Sequence, residues 1–414
     1  MQPIVGFVYA AVAFRDNSKG QPEIDIGIRP HRGIAAKCSR CRLPAPGYDR
    51  LEERRWLFVP LWNVPVYLRY RPRRVQCREH GVVVEQMPWS DGKRPVALAM
   101  MDVLAHWARH LSWRETARAF RTSWEAVYRS VEWMVEYGLA NRVLQGVEAI
   151  GVDEIHWGRG KKADNFLTVI YQIDAGCRRL LWVGRRRTKA ALRKGLKTLG
   201  PEVVNQIRFV CSDMWKAYLT VLASEVKQAI HVLDRFHIVS HLNAALDQVR
   251  RAESTRLRAS HKQEAAGLKN MRWKLLRRGS RVLGKARAKI KALLASQADT
   301  GKAWLLKETF SHFWTYKSVV WASAFLDYWC ECATRSRLEP MKKMARMLRN
   351  HQPLILNWFR AKGEISSGPV EGMNNKIRVV TRRSYGFRTY PAMEIALYHN
   401  LGRLPEPEFT HRFR

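Results

Sequence analysis

The sequence predicts an α/β protein: a mixed sheet flanked by helices, interrupted by an all-α insertion and preceded by a small cysteine-bearing module and a group of three helices. Three observations predict it. Short apolar runs such as Ala149–Ile155 have the length of buried strands and carry or lead into isolated acids. Helix-forming sequence with apolar residues at steps of three and four occupies residues 95–134, and further helical sequence fills 242–358. Two ligand pairs, Cys38-Ser-Arg-Cys41 and Cys77-Arg-Glu-His80, stand ahead of both.

Charge says what such a chain acts on. Among 414 residues, Lys and Arg number 73 against 36 Asp and Glu, a formal net charge of +37. That excess favours a polyanion, and nucleic acid fits best, because neutralised phosphates release counterions. A membrane surface is the weaker partner, since the basic stretches run through folded-looking, Trp-rich sequence rather than one amphipathic helix. No apolar run approaches the roughly 20 residues that span a bilayer. Ile4–Phe14 is apolar, but no basic residue precedes it, so a strand is expected there rather than a signal segment. Seven cysteines, an odd number, fit a reducing cytoplasm and a metal site better than a disulfide framework.

The segments follow in order. Residues 1–90 are expected to hold strands and the metal module. Three thiolates and one imidazole, Cys38, Cys41, Cys77 and His80, suit tetrahedral structural zinc, and four protein ligands leave no position open for water. Residues 42–76 lie between the pairs, more than a usual finger. Within them Trp56–Leu68 reads as strand, turn and strand, which would bring the pairs together in a zinc ribbon. The bland alternative makes the cysteines small core residues and His80 a surface residue.

Residues 91–145 read as a helix-turn-helix. Met101, Leu104, Ala108 and Leu111 stripe one helix, ending near His110; Ser112-Trp-Arg-Glu115 is a capping box before a short helix at 116–120. Arg121-Thr-Ser forms the turn. Trp124, Val127, Val131 and Met134 are the expected buried stripe of a third helix, whose outward face can enter a major groove. Ser123, Tyr128 and Arg129 are its candidate DNA contacts, and the alternative is a packing module with no DNA role.

Residues 146–240 are the first part of the core. Asp153 sits in an apolar run, Phe166–Ile173 and Leu180–Gly184 continue a meander, residues 188–199 read as helix, and Ile207–Cys211 delivers Asp213. A helix over 215–223 and a short strand at His231–Leu233 complete an order that suits a ribonuclease-H-like sheet. Residues 241–360 are the basic helical insertion, where Glu264 is the only acid from Ser254 to Ala298. Such a run is either a solvated face or a surface that follows DNA. Its later part, Trp304–Trp358 with Trp314, Trp321, Trp329 and Phe325, reads as a packing unit. Residues 361–414 return to the core with Glu371, where Ser367-Gly-Pro announces a turn and Asn374-Asn-Lys-Ile-Arg can continue as helix.

Asp153, Asp213 and Glu371 offer hard oxygen ligands from three elements, a set suited to two magnesium ions, with manganese expected to substitute. Glu154, facing the other way on its strand, is a structural or supporting acid. Asp234 is either a helix cap or an additional acid near the metals, and His237 either a phosphate contact or a packed histidine. Lys376, Arg378, Arg382, Arg383 and Arg388 stand close enough in sequence to Glu371 to hold phosphates.

Several of these motifs together resemble the ISL-three family of bacterial insertion-sequence transposases. They are Gly151-Val-Asp-Glu154, Cys211-Ser-Asp-Met-Trp-Lys-Ala-Tyr218, Asp234-Arg-Phe-His-Ile238 with Asn243, and Ser367-Gly-Pro-Val-Glu-Gly-Met-Asn-Asn-Lys376 through Arg383-Ser-Tyr-Gly-Phe-Arg388. Cys38-Ser-Arg-Cys41 and Pro46–Arg50 are similar to that family's zinc module, although His80 stands where a cysteine is more typical. The resemblance implies a DDE transposase with Asp153, Asp213 and Glu371 as its metal-binding triad. It would cut at element terminal repeats and join them to target DNA, working in the cytoplasm on the nucleoid as a homodimer or larger assembly. The alternatives are a ribonuclease-H-like DNA nuclease without strand transfer, a tyrosine recombinase using Tyr385, and a non-catalytic DNA-binding regulator.

Overall fold

The structure, a computed structural model, describes residues 4–157, 165–296, 298–361, 365 and 368–408. Its contacts divide the chain into two units, Met1–Val143 with Lys376–Arg414, and Leu144–Asn375. Among the described residues no helix is long and apolar enough to cross a membrane.

The first unit begins with seven strands: β1 (Phe7–Asp16), β2 (Pro22–Pro30), β3 (Gly47–Arg50), β4 (Arg54–Leu61), β5 (Val64–Tyr70), β6 (Arg73–Cys77) and β7 (Gly81–Val84). They form two sheets, ordered β1-β2-β5-β4 and β3-β6-β7. Ile24, Ile26, Ile28, Trp56, Val66 and Leu68 alternate onto one face of the larger sheet, where Trp89 packs edge-on against Phe7 and Tyr70. The expected strand-turn-strand at Trp56–Leu68 is the β4–β5 hairpin. Its turn residues Trp62 and Asn63 both take positive φ (50° and 64°), as a tight hairpin demands. That hairpin belongs to the larger sheet, and β3, β6 and β7 carry the metal module instead, which explains the long gap between the ligand pairs.

Three helices follow: α1 (Leu98–Trp107), α2 (Trp113–Ala119) and α3 (Trp124–Asn141). Helix α2 starts earlier than expected because the Ser112–Glu115 capping box satisfies its first amides. On α3, Val127, Val131 and Met134 are buried as expected, whereas Trp124 is 59% exposed. The reason is position: Ser123 caps the helix, so Trp124 sits in the first turn beyond the packed stripe.

The second unit contains β8 (Ala149–His156), β9 (Phe166–Asp174), β10 (Cys177–Arg185), α4 (Lys189–Leu199), α5 (Pro201–Gln206), β11 (Phe209–Ser212), α6 (Lys216–Glu225) and β12 (Ile230–Leu233). The strands order as β10-β9-β8-β11-β12, with the first three antiparallel and β8, β11 and β12 parallel. One face buries Ile150, Val152, Ile170 and Trp182 against Leu192, Leu196, Tyr218 and Leu222 of the crossover helices.

The insertion is all helical: α7 (Arg235–Leu257), α8 (Lys262–Asn270), α9 (Arg272–Leu276), α10 (Gly284–Ala295), α11 (Asp299–Phe310), α12 (Val319–Arg335), α13 (Glu339–Asn350) and α14 (Gln352–Arg360). Phe310, Phe313, Trp329 and Phe359 form its aromatic centre, with Trp314 and Trp358 against them. Trp321 departs from the expected packing unit and is 68% exposed. The chain continues through α15 (Gly368–Arg383) to α16 (Tyr390–Leu401). Helix α15 begins at the Gly-Pro pair, so Glu371 lies in its first turn rather than in a turn ahead of it; proline is tolerated there because the first amides need no helical partner. Ser366, Ser367 and Glu364 lie outside the described residues.

Candidate active site and zinc module

The parallel pairing of β8, β11 and β12 aligns Val152 with Ser212 and Ser212 with Leu233. Asp153, Asp213 and Asp234 are each the next residue, so three aspartates stand side by side where the parallel ladders stop, Asp153 within β8 and Asp213 and Asp234 just past β11 and β12. The Asp234 amide extends the ladder by donating to Ser212 O at 2.8 Å. This row is the electrostatic centre of the second unit.

Each member is held differently. Asp153, 7% exposed, accepts from the Glu154 amide at 2.7 Å and from Asn374 Nδ2 at 2.5 Å. Burial pushes its carboxyl upward, and the nearby Asp213 charge adds to that, while the hydrogen bonds and His237 oppose it. Asp213 accepts from the Trp215 amide at 3.0 Å. Asp234 caps α7 by accepting from the Phe236 amide at 2.7 Å and pairs through its other oxygen with His237 Nδ1 at 3.0 Å. That hydrogen bond raises the His237 imidazole to about 9, and Asp153 and Asp213 add to the effect. A cation therefore sits beside the acidic row at neutral pH.

Glu154 forms an ion pair with Arg187, whose guanidinium lies over the Trp215 ring at 4.2 Å. Burial pushes the Glu154 carboxyl to about 7, with Arg187 opposing. Glu371 is exposed on α15, three residues before Asn374 and so on the same helix face. Asn374 in turn accepts from the buried Tyr171 hydroxyl at 2.8 Å. Asn374, Tyr171 and Arg187 are the participants that the sequence did not single out. Asn374 was visible within the Glu371 motif, Tyr171 looked like strand filler, and Arg187 was one arginine among many. Among the described residues, no three acids come within 4.8 Å of one another, so Glu371 is not drawn into a closed cluster with Asp153 and Asp213. The donor set nonetheless fits divalent magnesium: hard oxygens only, with the buried Asp153 raised in part by the charge of the partly buried Asp213, a repulsion that a cation would relieve.

Cys38, Cys41, Cys77 and His80 do close up, with all four ligand atoms within 4.8 Å. Cys41 Sγ lies 3.7 Å from Cys77 Sγ, and His80 Nδ1 lies 3.5 Å from Cys77 Sγ and 3.9 Å from Cys38 Sγ. A tetrahedron with zinc–sulfur bonds of about 2.3 Å has edges of about 3.8 Å, so the cage has the size zinc requires. Arg42 at φ 63° turns the Cys38–Cys41 knuckle, its amide returning to Cys38 O at 3.0 Å.

The expected DNA contacts sort unevenly. Lys376, Arg378, Arg382 and Arg388 are exposed. Arg383 instead donates to Arg109 O and to Asn400 Oδ1 inside the first unit. On α3, Ser123 Oγ accepts from the Ala126 amide, Tyr128 donates to Glu132, and Arg129 pairs with Glu132 at 2.8 Å. Glu125, Glu132 and Glu136 give that helix an acidic share beside its candidate DNA contacts.

The acidic strand ends and the thiolate cage together describe a two-part protein, a metal-suited core with a structural zinc module. Residues 150–397, more than half of the chain, match the ISL3 DDE family described as "Transposase", and residues 35–80 match the "zinc-finger of transposase IS204/IS1001/IS1096/IS1165". The chain belongs to the ISL3 transposase family. It is similar to the transposase for insertion sequence element IS1557 of Mycobacterium tuberculosis, 28% identical over 389 residues covering 88% of this chain and 86% of that one. It is also similar to the transposase for insertion sequence element IS1001 of Bordetella parapertussis, 24% identical over 353 residues and covering 85% of each chain.

Proposed function

We propose that this protein is a DDE transposase that binds the ends of an insertion sequence, cuts the phosphodiester there and joins the freed end to target DNA. The observation that carries the reading is the alignment of Asp153, within β8, with Asp213, just past the neighbouring parallel strand β11, and the tie of α15 to Asp153 through Asn374. The strand order β10-β9-β8-β11-β12 supports a ribonuclease-H-like core.

In this reading Asp153, Asp213 and Glu371 hold the divalent ions, magnesium or manganese, which supply Lewis acidity toward the scissile phosphate and its leaving oxygen. The chain's own groups arrange the rest. Asn374 fixes the rotamer of Asp153 and keeps its ionised form hydrogen-bonded. Asp234 holds His237 protonated and oriented, which gives the acidic row a cation able to face a phosphate oxygen. Arg187, stacked on Trp215, neutralises Glu154 so that its charge does not add to the row. Lys376, Arg378, Arg382 and Arg388 carry backbone phosphates, the helices α1–α3 act as a helix-turn-helix on the terminal repeat, and zinc on Cys38, Cys41, Cys77 and His80 holds the ribbon together. Two ends must be paired, so a dimer or larger assembly on double-stranded DNA is part of the proposal.

The test is incubation of the protein with element ends, magnesium and a target plasmid. Joined product, absent with Asp153→Asn or Glu371→Gln that still bind the ends, is the expected result. Cleavage that persists in both variants overturns the triad. Cleavage without joined product selects the nuclease reading, binding without cleavage the regulator, and a phosphotyrosine at Tyr385 formed without metal the recombinase.

A further inference from the structure

We infer that the exposed face of α10, with the arginines leading into it, grips the phosphate backbone of duplex DNA of arbitrary sequence. The inference rests on the reading that the protein acts on DNA. Arg278, Arg281, Lys285, Arg287, Lys289 and Lys291 are all exposed, and from Ala265 to Ala298 the chain has no Asp or Glu. Helix α10 turns one stripe inward: Ile290 is buried, with Ala286, Leu293 and Leu294 partly buried against the insertion core. The opposite side therefore carries the cations. Lys285 with Lys289, and Arg287 with Lys291, are like charges one turn apart, a pairing that weakens a helix unless something outside it supplies negative charge.

Some cations elsewhere in the insertion are paired. Arg250, Arg251 and Arg272 converge on Asp247, Arg256 reaches Glu253 and Asp299, and Lys307 pairs with Glu308. None of the six ridge cations has such a partner among the described residues. The ridge is thus a dense run of exposed cations, with no ion-pair partner among the described residues and no acid in the surrounding sequence.

Composition identifies the partner. The polar residues exposed on α10 are Lys285, Arg287, Lys289 and Lys291, three of them flexible point charges that serve phosphate contact better than the fixed fork that base reading uses. That suits flanking or target duplex, whose sequence is not fixed, better than a terminal repeat. A membrane surface is disfavoured because α10 turns its apolar stripe onto the protein core and keeps none to insert.

The test compares the full-length protein with the quadruple variant Lys285→Ala, Arg287→Ala, Lys289→Ala, Lys291→Ala. Binding to a short duplex of random sequence is measured against salt concentration, with phosphatidylserine vesicles in a parallel arm. Alanine favours helix, so thermal unfolding should be unchanged or later. The expected result is a drop of about 3.6 in the slope of log K against log salt, near 0.9 for each of the four phosphates that the variant no longer neutralises. An unchanged slope, in a variant whose parent binds and cleaves DNA, overturns the ridge alone. A variant that loses vesicle binding while keeping its DNA slope also overturns it, in favour of a lipid surface. A parent that binds no duplex overturns both the ridge and the function it rests on.

Discussion

Asn374 Nδ2 donates to Asp153 Oδ2 at 2.5 Å, tying a helix residue to a buried strand carboxylate 221 positions earlier in the chain. A buried carboxylate without donors is costly, and burial already pushes Asp153 toward its neutral form. Asn374→Ala removes the donor and leaves Asp153 free to rotate. On the order of 10–100-fold loss of DNA cleavage is expected, with thermal unfolding changed little by comparison. Activity at the parent level would remove Asn374 from the positioning role.

The zinc module should behave as a folding unit. One zinc per chain is expected by elemental analysis of the purified protein. Cys38→Ser removes a ligand that is fully buried in the cage, so zinc content should fall and the strands β3, β6 and β7 become open to proteolysis. His80→Cys replaces imidazole with a fourth thiolate at comparable bond length, and zinc retention near the parent level is expected. Full zinc occupancy in Cys38→Ser would exclude the cage.

Much of this was legible in the sequence because it is local. A four-residue ligand pair, a capping box and a strand-length apolar run each declare themselves without knowledge of the fold, and so Cys38, Ser112 and Asp153 stand out. Asp234 could be read only as cap or acid, and the structure gives it the cap while also placing it in the acidic row. What stayed hidden depends on distant segments meeting. Tyr171 reads as strand filler until its hydroxyl meets Asn374, and Arg383 reads as a surface cation until it reaches Asn400. The strand expected at Ile4–Phe14 is β1, Phe7–Asp16, displaced by a few residues because an edge strand exposed along most of its length has no inside-outside alternation to mark its ends.

Gly151 marks a close approach between β8 and the first turn of α15. A Cβ at that position would lie 2.4 Å from Val370 Cγ2 and 3.3 Å from Ile173 Cγ2. Val370 is buried and stands next to Glu371 in sequence, so it cannot yield without moving the turn that carries the acid. Gly151→Ala should cost about 1–3 kcal/mol of stability, the range for overpacking, and reduce cleavage further than the stability loss explains. Adding Val370→Ala should recover part of both. Gly151→Ala at full stability and activity would show that the first turn adapts freely.

His399 should make the protein acid-sensitive. It is buried on α16, neither ring nitrogen finds a hydrogen-bond partner among the described residues, and burial with Arg109, Arg383 and His106 nearby pushes its imidazole down to about 3. In the unfolded chain the group titrates near 6.5. Below that pH the unfolded state takes up a proton that the folded state refuses, so stability falls as pH drops from about 6.5 toward 3 and is flat above. His231, pushed down to about 4 by burial, contributes with the same sign. His399→Leu removes an unsatisfied polar group and its proton uptake together. Urea unfolding of parent and variant at matched pH should show the stability difference shifting in the variant's favour by about 2.7 kcal/mol between pH 7.5 and pH 4.5. Parallel stability curves for the two proteins would mean that His399 takes up its proton as readily folded as unfolded.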